Sequence, residues 1–100
     1  MANSAPVKAS KNLQDEITEF LSSRQADRMR FKGMLMMRNL PGLATLAIEV
    51  GKECQKYGFM SLVEVTANIE AAATKGDFAA CMALVSNYEE QTINLKVEYN

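Results

Sequence analysis

One hundred residues, with 48% hydrophobic and 23% charged side chains, bound a single globular domain of ordinary composition. A formal net charge of −1 argues against a general binder of polyanions, which needs a marked excess of cations. The chain has no histidine, which excludes an imidazole base, an imidazole metal ligand and a phosphohistidine.

Taken in chain order, Met1 to Ala9 reads as a disordered leader, polar and small and without the apolar centre of a signal peptide. Residues 10–100 then read as one domain, helical throughout. The first helix is predicted from about Lys11 to Ser23, with Ser10 or Asn12 as its N-cap. Asp15, Glu16 and Glu19 sit near its positive end, and Leu13, Ile17, Phe20 and Leu21 make its buried stripe. The second helix, roughly Gln25 to Arg38, carries Phe31, Met34, Leu35, Met36 and Met37, with Arg24, Arg28, Arg30, Lys32 and Arg38 between and beside them. Phe31, Met34 and Met37 share a face expected to pack inward, with Met36 turned away from it. Continuity of these two helices through Ser22-Ser23 is open at this level.

Asn39-Leu40-Pro41-Gly42 is a break and a restart: Asn39 is suited to cap, and Pro41 is tolerated in a first turn. The third helix runs to Tyr57, where Gly58 ends it. The fourth, Phe59 to Lys75, is expected to bury Phe59, Leu62, Thr66, Ile69 and Ala73, and Gly76 closes it. Asp77 caps a fifth, extending to about Val97 and burying Cys81, Leu84, Val85, Tyr88, Thr92 and Leu95. Short connections force neighbouring helices antiparallel. The expected fold is all-α, an up-and-down antiparallel four-helix bundle with an additional N-terminal helix. The longest apolar run, Phe78 to Val85, is far too short to span a bilayer. Cys54 and Cys81 fall on the apolar sides of different helices, which fits reduced, buried thiols and a cytoplasmic protein; nothing requires a disulfide between them.

One residue stands out against this pattern. At about 100° per residue, Leu43, Ala47, Val50 and Cys54 fall on one stripe of the third helix, with Leu46 and Tyr57 beside it. Ile48 falls nearly opposite. Its neighbours there are Ala44, Gly51, Lys52 and Gln55, all small or polar. A β-branched apolar side chain on a shallow, polar-rimmed face has the form of a protein-docking surface.

From Asn39 to Asp77 the spacing resembles the histidine-containing phosphotransfer (HPt) domain of bacterial two-component phosphorelays. Asn39 opens the helix, Ala47 precedes the key position, Val50 is the apolar residue two places after it, and Gly58 stands ten after it. Leu62, the pair Ile69-Glu70 and the turn Gly76-Asp77-Phe78 follow in register. The place of the phosphorylated histidine is taken by Ile48, and the lysine and glycine that usually follow stand here as Gly51 and Lys52, as if swapped. Isoleucine has neither nucleophile nor lone pair, so it cannot accept a phosphoryl group. Lys52 is one turn on and can meet an anion only as a point charge. The resemblance therefore implies a degenerate, phosphotransfer-dead HPt-like bundle. Its implied partner is a response-regulator receiver domain or a histidine kinase, bound through Ile48, Ala44, Gly51, Lys52 and Gln55.

Other features read more plainly. The Met-rich second helix is either an adaptable binding surface or core filler, the latter being the commoner use. The basic run from Arg24 to Arg38 reads as a solvated helix face balanced by acids elsewhere. Asp15-Glu16 and Glu89-Glu90 are adjacent pairs that point about 100° apart on a helix and cannot share a proton or a metal. Glu49 and Glu53 share a face and read as a solvated pair. No Gly-rich phosphate loop, cysteine cluster or serine-centred nucleophile motif occurs. The expectation is no enzyme, no catalytic residue, no cofactor and no metal; no nucleic acid or membrane as partner; and a monomer or weak homodimer. The alternative is a small helical scaffold or dimerisation protein that uses the Met-rich basic second helix, unrelated to phosphorelays.

Overall fold

The computed structural model describes residues 7–9, 14–95 and 97–99. Four helices carry it: α1 (Gln14–Met36), α2 (Leu40–Lys56), α3 (Met60–Lys75) and α4 (Phe78–Ile93). Two short strands, β1 (Val7–Ala9) and β2 (Val97–Tyr99), pair in parallel, Val7 with Val97 through Ala9 with Tyr99. The fold is all-α in its body, a bundle in which each helix packs on its neighbours in the order α1, α2, α3, α4 and α4 returns to α1.

The additional N-terminal helix is not a separate element: the first two predicted helices are one continuous α1. Ser22 and Ser23 do not break it because their hydroxyls donate back to the carbonyls of Thr18 and Glu19, both at 3.1 Å, and so are satisfied inside the helix. The buried residues of α1 are Ile17, Phe20, Arg24, Asp27 and Phe31, spaced three and four apart without interruption across the serines. The expected caps Ser10 and Asn12, the stripe residue Leu13 and most of the expected leader lie outside the described residues. Val7–Ala9, also expected in that leader, forms β1, and the last helix stops at Ile93 instead of running to Val97.

Each turn has a local cause. Arg38 takes the left-handed conformation after α1 at φ 52°, a position that costs a side-chain-bearing residue about 1 kcal/mol relative to glycine, and its guanidinium lies 4.1 Å over the ring of Phe78. Asn39 then caps α2, its side chain accepting from the Gly42 N–H at 3.0 Å. Gly58 and Gly76 supply the positive φ values, 81° and 76°, that end α2 and α3. Asp77 caps α4 by accepting from Ala80 at 3.1 Å.

The core follows the predicted stripes in α2, α3 and α4. Leu43, Leu46, Ala47, Val50 and Cys54 are buried on α2; Leu62, Thr66, Ile69 and Ala73 on α3; Cys81, Val85, Tyr88 and Thr92 on α4. Leu84 and Leu95 are half-buried. Phe20 stacks on Phe59 at 4.7 Å, and Phe31 meets Tyr88 edge-on at 5.0 Å, so α1 is pinned at both ends of the bundle. One inward expectation fails. Met37 is 76% exposed, because α1 has already ended at Met36 and the chain turns away there; Met34 is half-buried and Met36 is exposed.

Candidate functional site

Ile48 stands on the outward side of α2 and is 40% exposed. With Ala47, Gly51, Lys52 and Gln55 it forms one wall of a groove of about 170 Å³. The other wall is α3, through Val63, Thr66, Ala67 and Glu70. No residue of α1 lines the groove, so the longest helix leaves this face open. Four of the five expected site residues come together here. Ala44 does not: it lies one turn earlier, half-buried against the core, and Ala47 takes its place in the wall. The α3 wall was missed, although its residues recur at helical spacing beside the predicted stripe. A patch drawn on one helix does not reveal which neighbour flanks it.

Gly51 has a second role that its small size alone did not disclose. A Cβ at this position would stand 2.8 Å from Thr66 Oγ1. That oxygen cannot easily yield, because the buried Thr66 hydroxyl is within 2.9 Å of the carbonyls of both Leu62 and Val63. Gly51 is thus the contact that lets α2 and α3 approach closely, and the shallow floor of the groove follows from it.

Ile48 and Val63 are aliphatic, Thr66 is engaged with backbone carbonyls, and Lys52 and Glu70 bring one cation and one anion to the rim. What the arrangement can do is recognise shape: an apolar knob, a low glycine-lined floor and a mixed-charge edge.

A second cluster of chemistry-bearing side chains lies on the opposite side of α2; the sequence pattern places its Cys54 and Tyr88 in the core but its charged members in solvent. Arg24 is buried. Its Nε is 2.9 Å from Asp27 Oδ2, its Nη2 donates to Glu53 Oε1 at 2.7 Å, and its Nη1 reaches Cys54 Sγ at 3.8 Å. The Nε–H is not aligned on the Asp27 oxygen, so that contact is Coulombic and not a hydrogen bond. Tyr88 donates to Asp27 Oδ2 at 3.3 Å, and Arg30 bridges Asp27 at 3.6 Å and Glu49 at 4.0 Å. Glu49 and Glu53 are solvent-exposed as expected, and they are also the outer ends of an ion-pair network. The signal was present: Arg24 and Asp27 occupy the positions between Phe20 and Phe31 in a stripe spaced three and four apart, with opposite charges one turn from each other.

Burial governs the ionisation of this cluster. It lifts the Asp27 carboxyl above the usual range, an effect that Arg24, the Tyr88 hydroxyl and Arg30 only partly oppose. It pushes the Cys54 thiol up to about 11 despite the neighbouring Arg24, and it raises the Tyr88 phenol as well. Burial alone would weaken the Arg24 cation, but Tyr88, Asp27 and Glu53 more than offset this and hold it charged. A thiol so placed is protonated and unreactive at neutral pH. Cys81 is likewise buried and raised by desolvation, and both cysteines are free. Bordering the network at Glu53, an open cleft of about 300 Å³ is lined also by Glu16, Glu19, Phe20, Lys56 and Tyr57, and the Tyr57 hydroxyl donates across it to Glu16 at 3.1 Å.

Among the described residues, no three His, Cys, Asp or Glu side chains converge to hold a metal ion, and no helix is long and apolar enough to cross a membrane. Compared with known proteins, the chain matches no family model, no curated protein and no solved structure.

Proposed function

We propose that this chain is a phosphotransfer-inactive, HPt-like docking module that binds a two-component receiver domain, or the histidine kinase that supplies one, through the Ile48 face. The observation that carries the reading is the position of Ile48. It stands open on the second helix of a four-helix bundle, where the resemblance expects a phosphorylated histidine, beside a glycine that keeps the face low. Ile48 inserts where an imidazole would otherwise meet the partner, and the α3 wall of Val63, Ala67 and Glu70 extends the contact. Lys52 contributes a point charge toward an anionic partner surface. Isoleucine offers no acceptor atom at the position of the histidine, so the partner is held without phosphoryl transfer to Ile48, and the module acts as a competitor, adaptor or sequestering regulator.

The test is direct binding of purified receiver domains and kinases to the wild-type chain and to Ile48→Asp. An unpaired carboxylate buried in an interface costs several kcal/mol, so the variant is expected to lose at least about 30-fold in affinity while keeping its circular dichroism and melting profile. A phosphorylated receiver is expected to bind the wild type without passing label to it. Binding by Ile48→Asp equal to wild type, or no binding by either, defeats the proposal and moves the reading to a scaffold built on the Met-rich part of α1.

A further inference from the structure

The seam between α1 and α4 carries an apolar face that the Ile48 site does not use. Met29 and Met36, seven residues apart, share one stripe of α1, and Met82 and Ile93 share one stripe of α4 with Glu89. All four apolar side chains are exposed. The two helices run antiparallel and in register: Arg28 donates to Thr92 at 3.0 Å, Lys32 pairs with Glu89, and Met36 and Met82 line one concavity of about 300 Å³ with Leu35 and Phe78. Along the seam the order is therefore apolar, charged pair, apolar: Met29 with Ile93, then Lys32 with Glu89, then Met36 with Met82.

This layout is complementary to itself in one orientation only. Laying a second copy on the seam about a two-fold axis across the helices sets Lys32 against the partner's Lys32 and Glu89 against the partner's Glu89, which is repulsive twice. An axis along the helices sets α1 on the partner's α4. Lys32 then faces the partner's Glu89, Met36 faces the partner's Met82, and Met29 faces the partner's Ile93. Every apolar residue meets an apolar one and every charge meets its opposite. A net charge of −1 per chain adds no appreciable repulsion between copies.

We propose that the α1–α4 seam is a homodimer interface, with the two copies related by a two-fold axis parallel to the helices. The seam lies diagonally across the bundle from the α2–α3 groove, since α1 packs on α2 and α4 while α3 packs on the same two. The dimer thus presents two Ile48 faces outward, and its formation is independent of what those faces bind.

Sedimentation and light scattering of the full chain, up to about 1 mM where weak dimers form, provide the test. The wild type is expected to rise toward twice the 11.1 kDa chain mass. Lys32→Glu alone and Glu89→Lys alone are each expected to stay at the single-chain mass, because each sets like charges across the axis. An equimolar mixture of the two variants is expected to regain the doubled mass. In that mixed pair both contacts across the interface are opposite in sign, whereas the contact within each chain is still mismatched, so recovery reports pairing between copies and not folding. Met36→Ser with Met82→Ser, which alters no charge, is expected to be a folded monomer. A wild type that stays monomeric, single variants that dimerise normally, or a mixture that stays monomeric each overturn the interface; the first leaves the seam to a helix from another protein.

Discussion

The two sides of α2 are held to their neighbours by opposite means. Toward α3 the contact is apolar and close, set by a missing side chain at Gly51 against the Thr66 hydroxyl. Toward α1 it is polar, an ion-pair network in which Arg24, Asp27 and Tyr88 are all buried and Glu53 reaches outward. A close apolar contact tolerates little change in volume, whereas a buried charge network tolerates little change in partner. The side with small residues is also the one that stays shallow and open, which is why the candidate docking groove lies there and not beside the charges.

The largest expected effect comes from unbalancing the polar side. Arg24→Ala leaves the buried Asp27 with only the more distant, exposed Arg30 as a cation and is expected to cost about 3–5 kcal/mol in urea denaturation at neutral pH. The loss should be smaller in acid than at pH 8, because burial raises the Asp27 carboxyl and protonation removes its uncompensated charge. Replacing the pair together, Arg24→Met with Asp27→Leu, is expected to restore most of the stability, since a well-packed apolar pair often substitutes for a buried ion pair. A double variant as unstable as the single one would mean that the network specifies the position of α1 and does not merely fill it.

Alkaline titration sharpens the same contrast. The Cys54 thiol has its folded value near 11 against an ordinary 9.0, so between these values the unfolded chain binds fewer protons than the folded one. Stability is then complete below pH 9 and falls as pH rises toward 11, by about 1.4 kcal/mol per unit for one group. Tyr88, shifted in the same direction, adds to the fall at the upper end. Cys54→Ala should remove the early part of this slope in denaturation curves measured from pH 8 to 10.

On the apolar side the expected effect is smaller but changes sign with context. Gly51→Ala gains about 1 kcal/mol of helix propensity but forces a Cβ onto Thr66, an overpacking worth about 1–3 kcal/mol, for a net loss near 1 kcal/mol. With Thr66 already changed to Ala the same substitution should stabilise, and a double-mutant cycle reads the coupling. The contact also bears on any attempt to rebuild a phosphotransfer motif. Ile48→His with Gly51→Lys and Lys52→Gly would place a Lys Cβ against Thr66 and should fold less stably than Ile48→His alone. Smallest of all, Ile48→Asp should move stability by no more than about 0.5 kcal/mol, since the side chain faces solvent in the free protein.

Much of α2, α3 and α4 was legible because their buried residues are apolar at the helical period and their ends carry residues with one local meaning: Asn39 and Asp77 as caps, Gly58 and Gly76 at the turns. The outward placement of Ile48 followed from the same arithmetic. Periodicity fails where the buried residue is charged, so Arg24 and Asp27 read as surface, and the continuity of α1 stayed open at two serines that in fact bond back into the helix. It also fails one residue past a helix end, as at Met37.

By itself, then, the order of residues determined the helices, most of the core and the outward position of Ile48, since each depends on contacts within a few residues of chain. Only the tertiary structure decided that α1 is one piece, that the Arg24–Asp27 network joins residues from three helices, and that Ile48 shares its groove with α3. Those outcomes rest on groups far apart in sequence meeting in space: a buried charge is stable only beside partners that another helix supplies, and a groove exists only once its second wall is in place.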